Sequence, residues 1–129
     1  FVHTGLATTR SFIRDKPEIV RRYVKSHLEA IAVMKMDREM VIKTLGKYLG
    51  QIKDRDVLVK TYDAAVPDNR LPRKQYPYLA GLQTVLDLLS EENPRAKSAK
   101  PEDFVDNRFI KELDDSGYID NLYKAPPRP

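Results

Sequence analysis

The sequence predicts a mainly α chain, with about five or six helices and at most one short strand. Three observations point there. Apolar residues recur at three- and four-residue spacing through most of the chain, aspartate or proline stands ahead of those stripes, and glycine or proline stands behind them. Only the opening, "FVHTGLATTR", breaks the helical rhythm. Its β-branched Val2, Thr4, Thr8 and Thr9 around a glycine suit a short strand or extended segment near Val2 to Thr8, and a lone strand has unpaired edges that need a neighbour.

The first helix is expected over Pro17 to Met36. Asp15 stands as a capping-type residue and Pro17 suits the first helical position. Ile19, Val20, Tyr23, Val24, His27, Leu28, Ile31 and Met34 then supply the stripe. Asp37 can cap the next segment, where Met40, Val41, Thr44, Leu45 and Tyr48 recur in a stripe that ends near Gly50, a good C-terminal cap residue. Asp54 opens a third helix through Val57, Leu58, Thr61, Tyr62 and Ala65, stopped by Pro67. The basic, proline-rich "VPDNRLPRKQYP" that follows sustains neither helix nor ladder and reads as an ordered loop.

After Pro77 comes the strongest apolar stripe, Tyr78, Leu79, Leu82, Val85, Leu86 and Leu89, which predicts a deeply packed helix ending before Asn93-Pro94. "NPRAKSAKP" reads as a polar connector. Asn107 to Ser116 is a short helix with Phe109, Ile110 and Leu113 inward and Gly117 at its end, and Ile119, Leu122 and Tyr123 form a last docking turn. The units are thus a helical segment over 1–124 and an extended, Pro-rich tail over 125–129.

Composition removes several chemistries. The chain has 129 residues, 41% of them hydrophobic and 33% charged, which fits one modest domain with a hydrated surface. Its most apolar run, Leu28 to Met36, is broken by Glu29 and Lys35 and falls short of the ~20 apolar residues of a spanning helix, so no membrane span is expected. Without cysteine there is no disulfide, thiolate metal site or cysteine nucleophile.

His3 and His27 are the two histidines, and neither has a partner at helical metal-pair spacing, so no metal or cofactor is expected. His27 lies on the apolar stripe as a packing residue. Glu91-Glu92 and Asp114-Asp115 are adjacent pairs whose side chains point about 100° apart on a helix, which does not converge them on one substrate. With no phosphate loop and no nucleophile elbow, no catalytic residue is assigned and the chain is not expected to be an enzyme.

The formal charge of +4 raises a second class of function. Arg10, Arg14, Arg21, Arg22 and Lys25, with Phe12 and Tyr23 among them, resemble the footprint of a small basic helical module that binds nucleic acid or a protein partner. Asp15, Glu18 and Glu29 interrupt that field, and Phe12 and Tyr23 are better used in a core, so nucleic acid is not expected as a partner.

The order of motifs carries a resemblance. "HTGLATTRSFIRDKPEIVRRYVKSHLEAI", then "LGKYLG", "YPYLAGLQTVLDLL" and "KPEDFVDNRFIKELDDSGYIDNLY", resembles the C-terminal part of type II periplasmic substrate-binding proteins. Within these it looks most like the branch serving ABC importers of nitrate, sulfonates, taurine and thiamine-pyrimidine precursors. The resemblance runs from about His3 to Lys124, and its most specific pieces are Thr9 to Glu18 and Pro101 to Asp106.

It implies a fragment of a two-lobe α/β fold whose larger N-terminal part precedes Phe1, with Phe1 to Arg10 returning towards the first lobe. It also implies a periplasmic or extracytoplasmic location, a small-molecule solute that is bound and not transformed, and an ABC permease as partner. His3, Thr4 and Gly5 are the ligand-binding candidates, since a glycine lets backbone amides approach a ligand. Taken alone, the chain is expected to pair as a homodimer through the apolar faces left without their lobe.

Overall fold

A computed structural model describes residues 5–124, and these are mainly helical, with no strand among them. The eight α-helices are α1 (Arg10–Asp15), α2 (Pro17–Met36), α3 (Arg38–Tyr48), α4 (Arg55–Ala65), α5 (Leu79–Leu89), α6 (Pro94–Lys97), α7 (Arg108–Asp115) and α8 (Tyr118–Leu122), with one 3-10 turn at Pro101–Phe104. The long helix α2 has the expected bounds, and Asp37 and Asp54 cap their helices by accepting from the Met40 and Asp56 amides. Gly117 alone among the described residues has positive φ, at 72°, which lets the chain reverse between α7 and α8.

Two small cores hang on α2. At its C-terminal end Met34 joins the hairpin of α3 and α4, where Val41, Ile42, Leu58, Tyr62 and Val66 are buried with Leu45, Ile52, Val59 and Leu71 around them. The Tyr62 hydroxyl donates to the Met34 carbonyl at 2.8 Å, which fixes the hairpin to the end of α2. Nearer the N-terminus, Val24 and Leu28 pack with Ile110, Leu113 and Ile119, joined by Tyr118, Leu122 and Tyr123. Ile31 and Ala32, also buried, lie on the turn of α2 between the two.

Several local expectations are corrected. Asp15 does not cap α2: it ends α1, a separate helix that Thr9 caps by accepting from the Phe12 amide at 3.1 Å, and Lys16 stands at the joint without a side-chain cap. The chain between residues 5 and 8 forms no strand, and the rest of the Val2 to Thr8 expectation lies outside the described residues, as does the 125–129 tail. Helix α3 ends at Tyr48 with Leu49 as its C-cap, so it stops near Gly50 as expected, with Gly50 directly after the cap. The connector after Asn93 contains α6, started by the Asn93 side chain on the Arg95 amide, and then the 3-10 turn.

The largest correction concerns α5. Its stripe predicts deep packing, yet only Gly81 and Leu86 are buried while Tyr78, Leu88 and Leu89 stand exposed. The cause is the size of its neighbours. Helix α5 lies against α6 and the 3-10 turn, two four-residue elements that cover one side of it. Phe12 on α1 and Tyr23 on α2, expected in a core, are exposed as well; on α2 it is Val24 and Leu28 that face α7 and α8.

Candidate functional site

Of the three ligand-binding candidates, His3 and Thr4 lie outside the described residues. Gly5 is exposed, with open space where a Cβ would stand. His27 is half-buried on α2, as a packing residue would be. Among the described residues no group of histidines and carboxylates is arranged to hold a metal ion.

The densest polar chemistry lies along the 66–77 loop, which runs as a strap between the two cores. At one end the Lys35 ammonium donates to the Val66 carbonyl at 2.8 Å and to Asp68 at 2.7 Å, a hydrogen bond that holds the Asp68 carboxyl below the usual carboxylate range. In the middle the Arg73 guanidinium lies 4.6 Å from the centre of the Tyr123 ring. At the other end Lys74 meets Asp114 at 2.6 Å and Asp120 at 3.5 Å, while the Tyr76 hydroxyl donates to Asp114 at 2.9 Å.

Those contacts shift the groups in linked directions. Hydrogen bonding by Lys74, then by Tyr76, pulls the Asp114 carboxyl down, and the same bond pushes the Lys74 ammonium up. Burial and then the Asp114 carboxylate push the Tyr76 phenol up. Beneath the strap the Tyr123 hydroxyl is buried without a hydrogen-bond partner, as is the Asn107 amide oxygen. None of this assembles a nucleophile with a base. Asp114 faces the strap while Asp115 pairs with Lys111 at 2.8 Å, so the adjacent carboxylates diverge as helix geometry requires.

Two open hollows flank these elements. One, of about 340 Å³, lies at the strap between Lys35, Tyr62, Asp68 and Arg73, and the other, of about 550 Å³, lies where α3 meets α4, between Met40, Lys43, Lys53 and Arg55. Sequence reasoning recognised the loop as ordered and basic but not its partners. Every side-chain hydrogen bond or ion pair from the strap to the rest of the molecule joins residues at least 31 positions apart, and no local pattern encodes such pairs.

The early basic residues are largely engaged inside the molecule. Arg21 pairs with Glu18 and Glu112, Arg14 with Asp15, Lys25 lies 4.8 Å from the Tyr118 ring centre, and Arg10 donates to the Asp103 carbonyl. That last bond, at 2.7 Å, brings together the stretches Thr9 to Glu18 and Pro101 to Asp106 across 93 positions of sequence. No helix among the described residues is long and apolar enough to cross a membrane. No family model, curated protein or solved structure matches the chain.

Proposed function

We propose that these residues are the C-terminal helical part of the extracytoplasmic solute-binding component of an ABC importer, of the branch handling nitrate, sulfonates, taurine or pyrimidine precursors. In this role the protein binds its solute and delivers it to a permease without transforming it. The observation that carries the reading is the Arg10 to Asp103 bond. It makes the two most specific motif stretches neighbours in space, as parts of one structural unit should be.

A second feature supports it. Helix α5 and the outer side of α2 present Tyr78, Leu88, Leu89, Ile19 and Tyr23 to solvent, and exposed apolar surface of this kind is the place for a further layer to pack. In the complete binder that layer is an α/β lobe. Taken alone, the chain covers the same surface by pairing with a second copy.

The reading is tested on the coding DNA ahead of Phe1. An in-frame export signal or lipid-attachment motif followed by two βαβ units supports it. A stop codon directly ahead of Phe1 overturns it. On the protein, calorimetry with nitrate, taurine and sulfonates should show one-site binding by the complete gene product and none by residues 1–129, because one wall of a cleft lacks the contacts that closure supplies. A saturable micromolar isotherm from residues 1–129 would move the site into these helices.

A further inference from the structure

The ion pairs of this molecule are concentrated away from one end of it. Arg38 is paired with Asp63, Lys35 with Asp68, Lys74 with Asp114, and Lys111 with Asp115. At the tip of the α3–α4 hairpin, as around α6 with Arg95, Lys97 and Lys100, basic residues stand without a carboxylate partner among the described residues. From Met40 to Lys53 the sequence carries Lys43, Lys47 and Lys53 and no acidic residue. None of the three lysines pairs with a carboxylate among the described residues, and Lys47 lies 5.8 Å from the centre of the Tyr48 ring. The nearest acids are Glu39, which holds Arg55 at 2.7 Å, Asp54, which caps α4, and Asp56 in the first turn of α4.

The same tip exposes apolar surface. Tyr48 is 78% exposed, the most of any large hydrophobic residue described, and Leu49 follows it at 39%. Met40, Lys43 and Lys47 recur at three- and four-residue spacing on the outer side of α3, opposite the buried Val41 and Ile42. Lys43 and Lys53 both border the open hollow of about 550 Å³ where the two helices meet, together with Asp37, Glu39 and Arg55. Lys47 therefore stands beside the protruding Tyr48, with Lys43 one turn back on the outer side of α3 and Lys53 in the turn that follows Leu49.

From this placement we infer that the α3–α4 tip docks on a lipid surface carrying anionic headgroups, with Lys43, Lys47 and Lys53 against the headgroups and Tyr48 and Leu49 at the interface. Lysine suits this occupant, because its long stem lies along apolar surface while its point charge stays among mobile anions. Tyrosine belongs at such a boundary, with its ring in the apolar layer and its hydroxyl in water. A fixed phosphate or carboxylate would instead call for an arginine fork, and the one arginine at the tip is occupied by Glu39. A nucleic-acid strand would call for a series of stacking rings, and the tip offers one.

The test is co-sedimentation of the chain with vesicles of phosphatidylcholine alone and of phosphatidylcholine mixed equally with phosphatidylglycerol, at low salt. Binding is expected to the mixed vesicles only and to weaken as salt is added. Each lysine near an anionic surface contributes roughly fivefold, so Lys43→Glu, Lys47→Glu and Lys53→Glu together should lower vesicle affinity by at least about a hundredfold, with repulsion of the new carboxylates adding to the loss. All three side chains are exposed, and an unchanged helical circular dichroism spectrum would establish that the variant folds.

The control makes the same charge change elsewhere, with Arg95→Glu, Lys97→Glu and Lys100→Glu, and should retain most of the binding. Tyr48→Ser with Leu49→Ser leaves the charge intact and should still weaken binding several-fold. No binding to phosphatidylglycerol vesicles overturns the inference. So does an equal loss in the control, which would mean that net charge alone is at work. Preference for a soluble acidic protein or for DNA over the vesicles, at matched salt, also overturns it.

Discussion

The two cores on α2 are of similar size and are assembled in opposite ways. The α3–α4 core draws on one continuous stretch, Met34 to Leu71, closed by a short turn and crossed by the Tyr62 to Met34 bond. The α7–α8 core joins Val24 and Leu28 to residues from Ile110 to Tyr123, at the far end of the chain. A hairpin of neighbouring helices forms with little loop-closure entropy. The distant core must close most of the chain before its contacts repay it. The first is therefore a local unit, and the second reports whether the whole chain has come together.

Removing a buried side chain from each core should separate them most clearly. Leu28 and Ile42 are each 1% exposed, and truncation to alanine at such sites costs about 2–5 kcal/mol. Leu28→Ala should cut amide protection in α7 and α8 first and leave α3 and α4 partly protected in native-state hydrogen exchange. Ile42→Ala should strip protection from α3 and α4 as well as lowering the melting temperature. Loss of protection everywhere at once in Leu28→Ala would show that the molecule unfolds as one unit and that the contrast is only geometric.

A second effect should be confined to the distant core. Gly117 has φ of 72° and open space around it, so alanine there meets backbone strain and not a clash. Gly117→Ala should cost about 1–2 kcal/mol, read by chemical denaturation, with α8 losing protection before α7. An unchanged midpoint would mean that the reversal into α8 relaxes without loss. Beneath the strap the effect should change sign. The Tyr123 hydroxyl is buried and unpartnered, so Tyr123→Phe removes a desolvated polar atom while keeping the ring under Arg73. That variant should be neutral or up to about 1 kcal/mol more stable. A loss of that size would show that the hydroxyl has a partner in solution.

The contrast between the cores also decides what was legible in the sequence. Helix α2, the caps at Asp37 and Asp54, the inward Phe109, Ile110 and Leu113, and the turn at Gly117 all rest on local spacing or local backbone chemistry, and each is found where expected. Helix α5 was misjudged because an apolar stripe records which face would bury, not whether a partner large enough lies opposite it. The short α1 and α6 were hidden because a single capped turn leaves no periodic stripe. For the site, the binding candidates at His3 and Thr4 rest on resemblance alone, while the strap and the lysine tip emerge from pairings between distant residues, or from their lack.

The smallest expected effect concerns the strap that spans the two cores, and its sign follows from the groups at its anchor. Asp114 is held below the ordinary carboxylate value by Lys74 and Tyr76, with Lys111 and Asp115 also nearby. A depressed carboxyl favours the folded state above the unfolded pKa near 3.9, and that contribution fades as pH falls through the lower folded value. Lys74 is raised, so its contribution is complete below the unfolded value near 10.4 and fades as pH rises through the higher folded one. Tyr76 is raised too and acts in the same alkaline direction. The strap anchor should therefore hold from about pH 4 to about pH 10 and loosen at both ends. All these groups touch solvent, and screened surface pairs contribute less than buried side chains, so the global melting temperature should move less than for any core substitution. The sharper readout is ultraviolet titration of the phenols. In Asp114→Asn one tyrosine should ionise at lower pH than in the parent chain, because the carboxylate that opposed the phenolate is gone. Coincident titration curves for the two proteins would show that Tyr76 is not bound to Asp114 in solution, and that Lys74 holds this end of the strap without it.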